Sequence, residues 1–217
     1  MSNLIKAIGI FGGTFDPVHF GHLRTALEVY ESLPLQEIRF LPCQQPVHKA
    51  TTGASVNDRL AMLKLAIAEQ PGFRLDTREL ERDSPSYMYE TLRSIRHEVG
   101  HTPLCLICSM DAFSNFTSWY RWDAIIELAH IVVATRAGYT TSFSDTLNNF
   151  TNKHLITNPQ ALLTQAAGYI LFAPTTPLTI SSTAIRHLIQ NNLDPSYLLP
   201  EQIKTYIARH GLYKKIY

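Results

Sequence analysis

No apolar run in this 217-residue chain reaches the roughly 18 residues that a membrane-spanning helix needs. The opening stretch "LIKAIGIFGG" also lacks the length and cleavage pattern of a secretion signal. No membrane partner is expected, and the chain reads as cytoplasmic. Cysteine is scarce, with three residues, an odd number. Cys105 and Cys108 lie in "LCLICS", where strand alternation aims them at opposite faces, so buried thiols are expected rather than a zinc or redox CxxC. Charge is sparse as well. At 17% charged residues and a net charge of +1, nothing in the balance calls for nucleic acid, and there is no basic patch beyond Lys214 and Lys215. Any anion site must be built locally.

The chain does have an alternation. "KAIGIF" (6–11), "EIRFLP" (37–42), "FRLDT" (73–77), "LCLICS" (104–109), "HIVVAT" (130–135) and "YILFA" (169–173) read as short strands. "GHLRTALEVYESL", "VNDRLAMLKLAIAEQ" and "MYETLRSIRHEV" between them carry helical apolar stripes, the second with Asn57 and Asp58 as candidate caps. Strand and helix in repetition predict an α/β fold, a Rossmann-like doubly wound parallel sheet that binds ligands at the carboxyl ends of its strands. The polar stretch 138–159 is expected to be part helix and part loop. After Pro177 the pattern is helical only, with Pro200 in the first turn of the last helix and Gly211 as its stop. We expect one domain over 1–217 whose residues from about 181 form a small C-terminal helical tail.

"GGTFDPVHFGH" (12–22) joins the first strand to the first helix. Gly12 and Gly13 allow a tight turn and close approach of a ligand to main-chain N–H groups, and Pro17 fixes the turn. His19 and His22 stand three apart at the helix start, where the dipole favours negative charge. A phosphate suits that arrangement. Zinc would want further ligands at recognisable spacing, and two merely structural histidines would leave the same trace. The stretch is neither the P-loop GxxxxGK[ST] nor the dinucleotide fingerprint GxGxxG. Far along the chain, "ISSTAIR" (180–186) opens a helix with Ser181, Ser182 and Thr183 and places Arg186 one turn on. Hydroxyls, free N–H groups and a guanidinium there make a second phosphate cradle; alone, a capped surface helix would read the same way.

"GGTFDPVHFGH" resembles the signature of the nucleotidyltransferases related to class I aminoacyl-tRNA synthetases, and "ISSTAIR" is similar to the element that holds their ATP phosphates. "LPCQQPVHK" (41–49), "SPSYMYETL" (84–92), "MDAFSNFTSWYRW" (110–122) and the ending "LLPEQIKTYIARHGLY" extend the resemblance to the bacterial nicotinate-nucleotide adenylyltransferases. The resemblance implies transfer of the adenylyl group of ATP to nicotinate mononucleotide, with pyrophosphate leaving and Mg²⁺ arriving with ATP. It implies catalytic roles for His19, His22 and Arg186. Gly12, Gly13, Thr14, Phe15, Ser109, Asp111, Ile180, Ser181 and Ser182 would join them around ATP. For the mononucleotide it implies Thr14, His48, Lys49, Ser86, Tyr87 and Met88, with Trp119 and Tyr120 against the pyridine ring and Arg136 toward the phosphate. Trp122 is expected to serve the core more than Trp119, and Asp16 to tie its loop through backbone N–H groups.

Two residues depart from the family pattern. Met88 stands where the family usually has a threonine hydroxyl for the nicotinate carboxylate, which puts the preference for acid over amide in question. Ser109 stands where the family usually has glycine, and would crowd the adenosine side or add a hydrogen bond to it. The readings that compete are a transferase for another phosphate acceptor, nicotinamide mononucleotide included, and a nucleotide-binding regulatory module. The sequence leaves the oligomeric state open, a homo-oligomer included.

Overall fold

The computed structural model describes residues 6–44, 53–82, 85–136 and 143–215. Seven strands form one sheet: β1 (Ala7–Gly13), β2 (Leu35–Pro42), β3 (Phe73–Leu75), β4 (Leu104–Ser109), β5 (His130–Arg136), β6 (Leu155–Ile156) and β7 (Ile170–Thr175). All pairings are parallel, in the order β3-β2-β1-β4-β5-β7-β6. Chain order reverses between β1 and β4, whose register runs from Ile8 opposite Leu104 to Phe11 opposite Ile107. That pair is the switch point of a doubly wound sheet, where the crossover connections part and leave a crevice at the carboxyl ends.

Both faces of the sheet are covered, and side chains alternate between two cores as the pleat requires. Ala7, Phe11, Cys105 and Ile107 enter one core; Ile8, Ile10, Leu104, Leu106 and Cys108 enter the other. The two cysteines thus face opposite ways, and burial pushes both thiols up to about 12. They are inert structural groups.

The helices are α1 (Phe20–Ser32), α2 (Val56–Ile67), α3 (Met88–Val99), α4 (Met110–Ser114), α5 (Ile125–Leu128), α6 (Asp145–His154), α7 (Ser182–Gln190) and α8 (Glu201–His210). The cap of α2 is Ser55, not Asn57 or Asp58: its hydroxyl accepts the Asp58 N–H at 3.1 Å and donates to the Asp58 carboxylate at 2.6 Å. The serine sits where its oxygen reaches the third helical amide, and the Asp58 carboxylate holds the hydroxyl in place by accepting its hydrogen bond. Pro200 is the residue before α8 rather than inside its first turn, and Gly211 ends that helix at φ 63. The stretch read as part helix and part loop holds α6 and also β6, whose two residues are too few to carry a period. Ile185 of α7 and Ile203 and Ile207 of α8 share a core with β1 and β2, so the helical tail packs on the sheet layer. Among the described residues no helix is long and apolar enough to cross a membrane.

Candidate active site

A cleft of about 520 Å³ opens at the switch point. It lies within the size range of small-ligand sites. Gly12 of β1, His19 and His22 at the start of α1, Ser109 and Asp111 at the end of β4, and Ile180 to Thr183 at the start of α7 all line it. The two motifs far apart in sequence are therefore brought face to face.

The histidines owe their placement to the turn before them. His19 is the residue before α1; its carbonyl accepts the His22 and Leu23 N–H groups, so its imidazole leaves the helix start rather than capping it. The two rings stack at 3.7 Å with 25° between planes. His22 also meets the edge of Phe15 at 5.1 Å. His19 is 5% exposed, its Nδ1 has no hydrogen-bond partner among the described residues, and burial lowers its pKa to about 4. It is a neutral imidazole at pH 7 that lines the cleft and keeps a buried nitrogen with unused capacity.

The glycines act through close approach. A Cβ on Gly12 would come within 2.7 Å of the Met88 methyl, and one on Gly13 within 3.0 Å of the Phe15 ring. Gly21, which the sequence analysis did not single out, matters equally: a Cβ there would sit 3.0 Å from the His19 ring and 3.4 Å from the Ile180 carbonyl oxygen. Phe15 departs from expectation. At φ 50 and 1% exposure its ring lies in the core beneath His22, leaving only its main chain to any ligand.

Asp16 gathers four segments. Its carboxylate accepts the N–H groups of Gly53 (2.6 Å) and Ala54 (3.0 Å) and the Tyr213 hydroxyl (2.8 Å), while its carbonyl accepts Arg186 Nη1 at 2.6 Å. It ties a loop through backbone donors as expected, though the donors come from residues 53 and 54 rather than from its own turn. Arg186 reaches this knot, and its Nη2 donates to Thr183 Oγ1 at 3.3 Å. Its guanidinium thus underlies the cleft rather than lining its wall. Beneath Thr14, the fully buried Arg59 donates to the Thr14 carbonyl at 2.8 Å and the Gln44 carbonyl at 3.3 Å, pinning the ends of β1 and β2 together.

The hydroxyls of the second motif are partly committed. Ser181 caps α7 by accepting the Ala184 N–H at 3.1 Å, and Ser182 donates to the Pro17 carbonyl at 3.0 Å, docking α7 on the first motif. Ser109 likewise caps α4 by accepting the Ala112 N–H at 3.3 Å; its side chain adds a hydrogen bond, and that bond is to the helix.

Of the residues expected near a pyridine ring, Trp119 and Met88 line the cleft. Trp122 instead packs on Phe150 at 4.9 Å, as expected for a core tryptophan. The Tyr87 and Tyr120 rings meet at 4.7 Å, tilted by 34°, and Arg121 lies 4.2 Å over the Tyr89 ring, which holds the "PSYM" segment against the "SWYRW" loop. Ser86 Oγ accepts the Gln44 N–H at 3.2 Å. Arg136 closes β5, its backbone opposite Thr175. His48 and Lys49 lie outside the described residues. The cleft also includes Thr25 and the segment Thr175 to Leu178, which sequence reasoning missed. Their signal was available: "PTTPL" follows a strand that ends at the ligand edge.

A doubly wound sheet whose switch-point crevice is walled by a histidine pair and a hydroxyl-rich helix start defines a protein of the nucleotidyltransferase class. The cytidylyltransferase-like family model matches residues 10–188. A probable nicotinate-nucleotide adenylyltransferase of Methylococcus capsulatus is 48% identical over 209 residues, spanning 96% of this chain and 100% of the relative. One of Aeromonas salmonicida is 43% identical over 97% of this chain and 99% of the relative. The nicotinic acid mononucleotide adenylyltransferase of Plasmodium falciparum, solved with NaAD, superposes with a TM-score of 0.73 at 16% identity, over 96% of this chain and 97% of that one. It shares the fold. With relatives this similar over nearly its whole length, the chain belongs to the nicotinate-nucleotide adenylyltransferase family.

Proposed function

We propose that the protein transfers the adenylyl group of ATP to nicotinate mononucleotide, yielding nicotinate adenine dinucleotide and pyrophosphate in cytoplasmic NAD biosynthesis. The observation that carries the reading is the meeting of the His19–His22 pair with the Ile180–Thr183 helix start in one switch-point cleft. The triphosphate lies between the two helix starts, and the mononucleotide takes the side of Met88 and Trp119.

The chemistry asks little of the side chains. The acceptor is a phosphate monoester whose second pKa is near 6, so at pH 7 it is largely a dianion and already a nucleophile. No general base is needed, and among the described residues Asp111 is the one carboxylate lining the cleft. Catalysis then rests on in-line positioning and on donors around the α-phosphate. His19, held neutral by burial, serves as an N–H donor that gains positive character as a polyanion approaches. Arg186 supports the phosphate end from beneath. Mg²⁺ would enter with ATP, held mainly by phosphate oxygens and water, as its chemistry favours.

The test is pyrophosphate release from ATP and Mg²⁺ with nicotinate mononucleotide and nicotinamide mononucleotide as acceptors side by side. Release with strong preference for the acid is the expected result. Comparable rates point to the amide as a second substrate. Absence of release with either acceptor refutes the proposal.

A further inference from the structure

The Asp16 knot ties the chain's C-terminal segment to the catalytic turn. Tyr213, three residues past the end of α8, is 7% exposed, and its backbone is held at φ 62, a left-handed conformation unfavourable for an aromatic residue. Its hydroxyl donates to Asp16 Oδ1 at 2.8 Å. A Cβ on Gly53 would lie 2.8 Å from Arg186 Cδ and 2.9 Å from Tyr213 Cε1, so that glycine is wedged between the two side chains.

The distribution of donors around Asp16 is unusual for a carboxylate next to an arginine. Oδ2 is taken by the Gly53 N–H and Oδ1 by the Ala54 N–H and Tyr213. Arg186 is left with the Asp16 carbonyl at 2.6 Å, while its distance to Oδ2 is 3.7 Å. Neutral donors thus hold the carboxylate to a single long ion pair with the guanidinium in place of a close one. A guanidinium bidentate on a carboxylate is largely neutralised and fixed in direction; one held by a carbonyl and a single 3.7 Å ion pair keeps donors and more of its field for another anion.

We propose that Tyr213 is a positioning residue that holds the Asp16 carboxylate away from Arg186 and so keeps the guanidinium charge available to the ATP phosphates. The proposal rests on the reading of Arg186 as a phosphate-side residue. Burial and the neighbouring carboxylate push the Tyr213 phenol well above its ordinary value, so it stays a donor at every working pH. In its absence Oδ1 keeps one donor, and the carboxylate turns toward the nearest cation.

The experiment is a double-mutant cycle on steady-state kinetics with Tyr213→Phe, Arg186→Gln and the double variant, each assayed with ATP and nicotinate mononucleotide. Tyr213→Phe is expected to lower kcat/KM for ATP roughly tenfold and to leave KM for the mononucleotide unchanged. In the Arg186→Gln background it should lower nothing further. Full additivity in an active enzyme, or wild-type kinetics for Tyr213→Phe, overturns the link to Arg186 alone. Wild-type kinetics for Arg186→Gln, or a native enzyme without turnover, overturns the underlying reading and the proposal with it. Hydrogen exchange at the Gly53 and Ala54 amides separates positioning from mere support. Faster exchange at these two amides in Tyr213→Phe with cooperative unfolding retained is expected, because the carboxylate that holds them has turned; unchanged exchange, or loss of cooperative unfolding, overturns the proposal.

Discussion

The buried histidine gives a quantitative prediction. His19 titrates near 6.5 in an unfolded chain and at about 4 in the folded one, because burial disfavours its charged form. Between those values the unfolded chain binds the proton and the native site refuses it, so stability rises with pH there. The contribution is complete above pH 6.5 and is lost as pH falls toward 4. At about 1.4 kcal/mol per pH unit, the loss reaches about 2 kcal/mol at pH 5 and about 3 kcal/mol at pH 4.

Other groups titrate in the same window, His130 among them, whose pKa burial also lowers. The assay must therefore be differential. Urea unfolding of the wild type and of His19→Gln is compared at pH 8, 6.5, 5 and 4, and only the difference between the two is read. The glutamine fills a similar space and does not titrate, so the wild type should lose stability relative to the variant by the amounts above. A bound ATP analogue should flatten the difference, since a polyanion beside the ring restores its affinity for a proton. Parallel curves for the two proteins over the whole range would refute the burial argument. So would a difference of opposite sign, which would mean a His19 that is charged in the native site.

Three further outcomes are expected. His22→Ala should lower kcat by ~10² or more in a chain that still folds, the scale of losing one transition-state donor, measured by pyrophosphate release. Gly21→Ala gains helix propensity of about 1 kcal/mol, yet it must displace the His19 ring or the Ile180 carbonyl, so kcat should fall roughly tenfold with the unfolding midpoint little changed. Met88→Thr supplies a hydroxyl on the pyridine side of the cleft and should shift the acid-to-amide ratio of kcat/KM toward the acid by roughly tenfold to a hundredfold, the worth of one hydrogen bond to a charged group; competition between the two mononucleotides reads it directly.

What the sequence disclosed about this site, and what it hid, follows from how each residue acts. The places of His19, His22, Ser181 and Ser182 at the cleft were legible because they depend on local position at a helix start, and local position is written in spacing. Cys105 and Cys108 were legible through the strand period, which sends them to separate cores. Gly21 was hidden because its importance is a clearance to an atom of another segment, Ile180. The burial of the Phe15 ring was hidden because a left-handed backbone turns it into the core, and nothing in a phenylalanine signals that conformation. Arg59 left a trace. It stands with Met62 and Leu63 at the buried i, i+3, i+4 positions of α2, and a charge on an apolar stripe marks a group that must find oxygen partners inside.

The same distinction explains why the fold organises chemistry better than any one motif does. The first motif offers donors and close approach, and the second offers a helix start and a cation, but neither specifies the distance between them. That distance is fixed by residues with no reactive role. Ser182 docks α7 on Pro17, Arg59 ties β1 to β2 through the Thr14 and Gln44 carbonyls, and Asp16 gathers Gly53, Ala54, Arg186 and Tyr213. A reaction that needs no general base and depends on in-line placement is sensitive above all to such ties. Substitutions in the ties should therefore lower kcat while leaving the cleft-lining side chains in place.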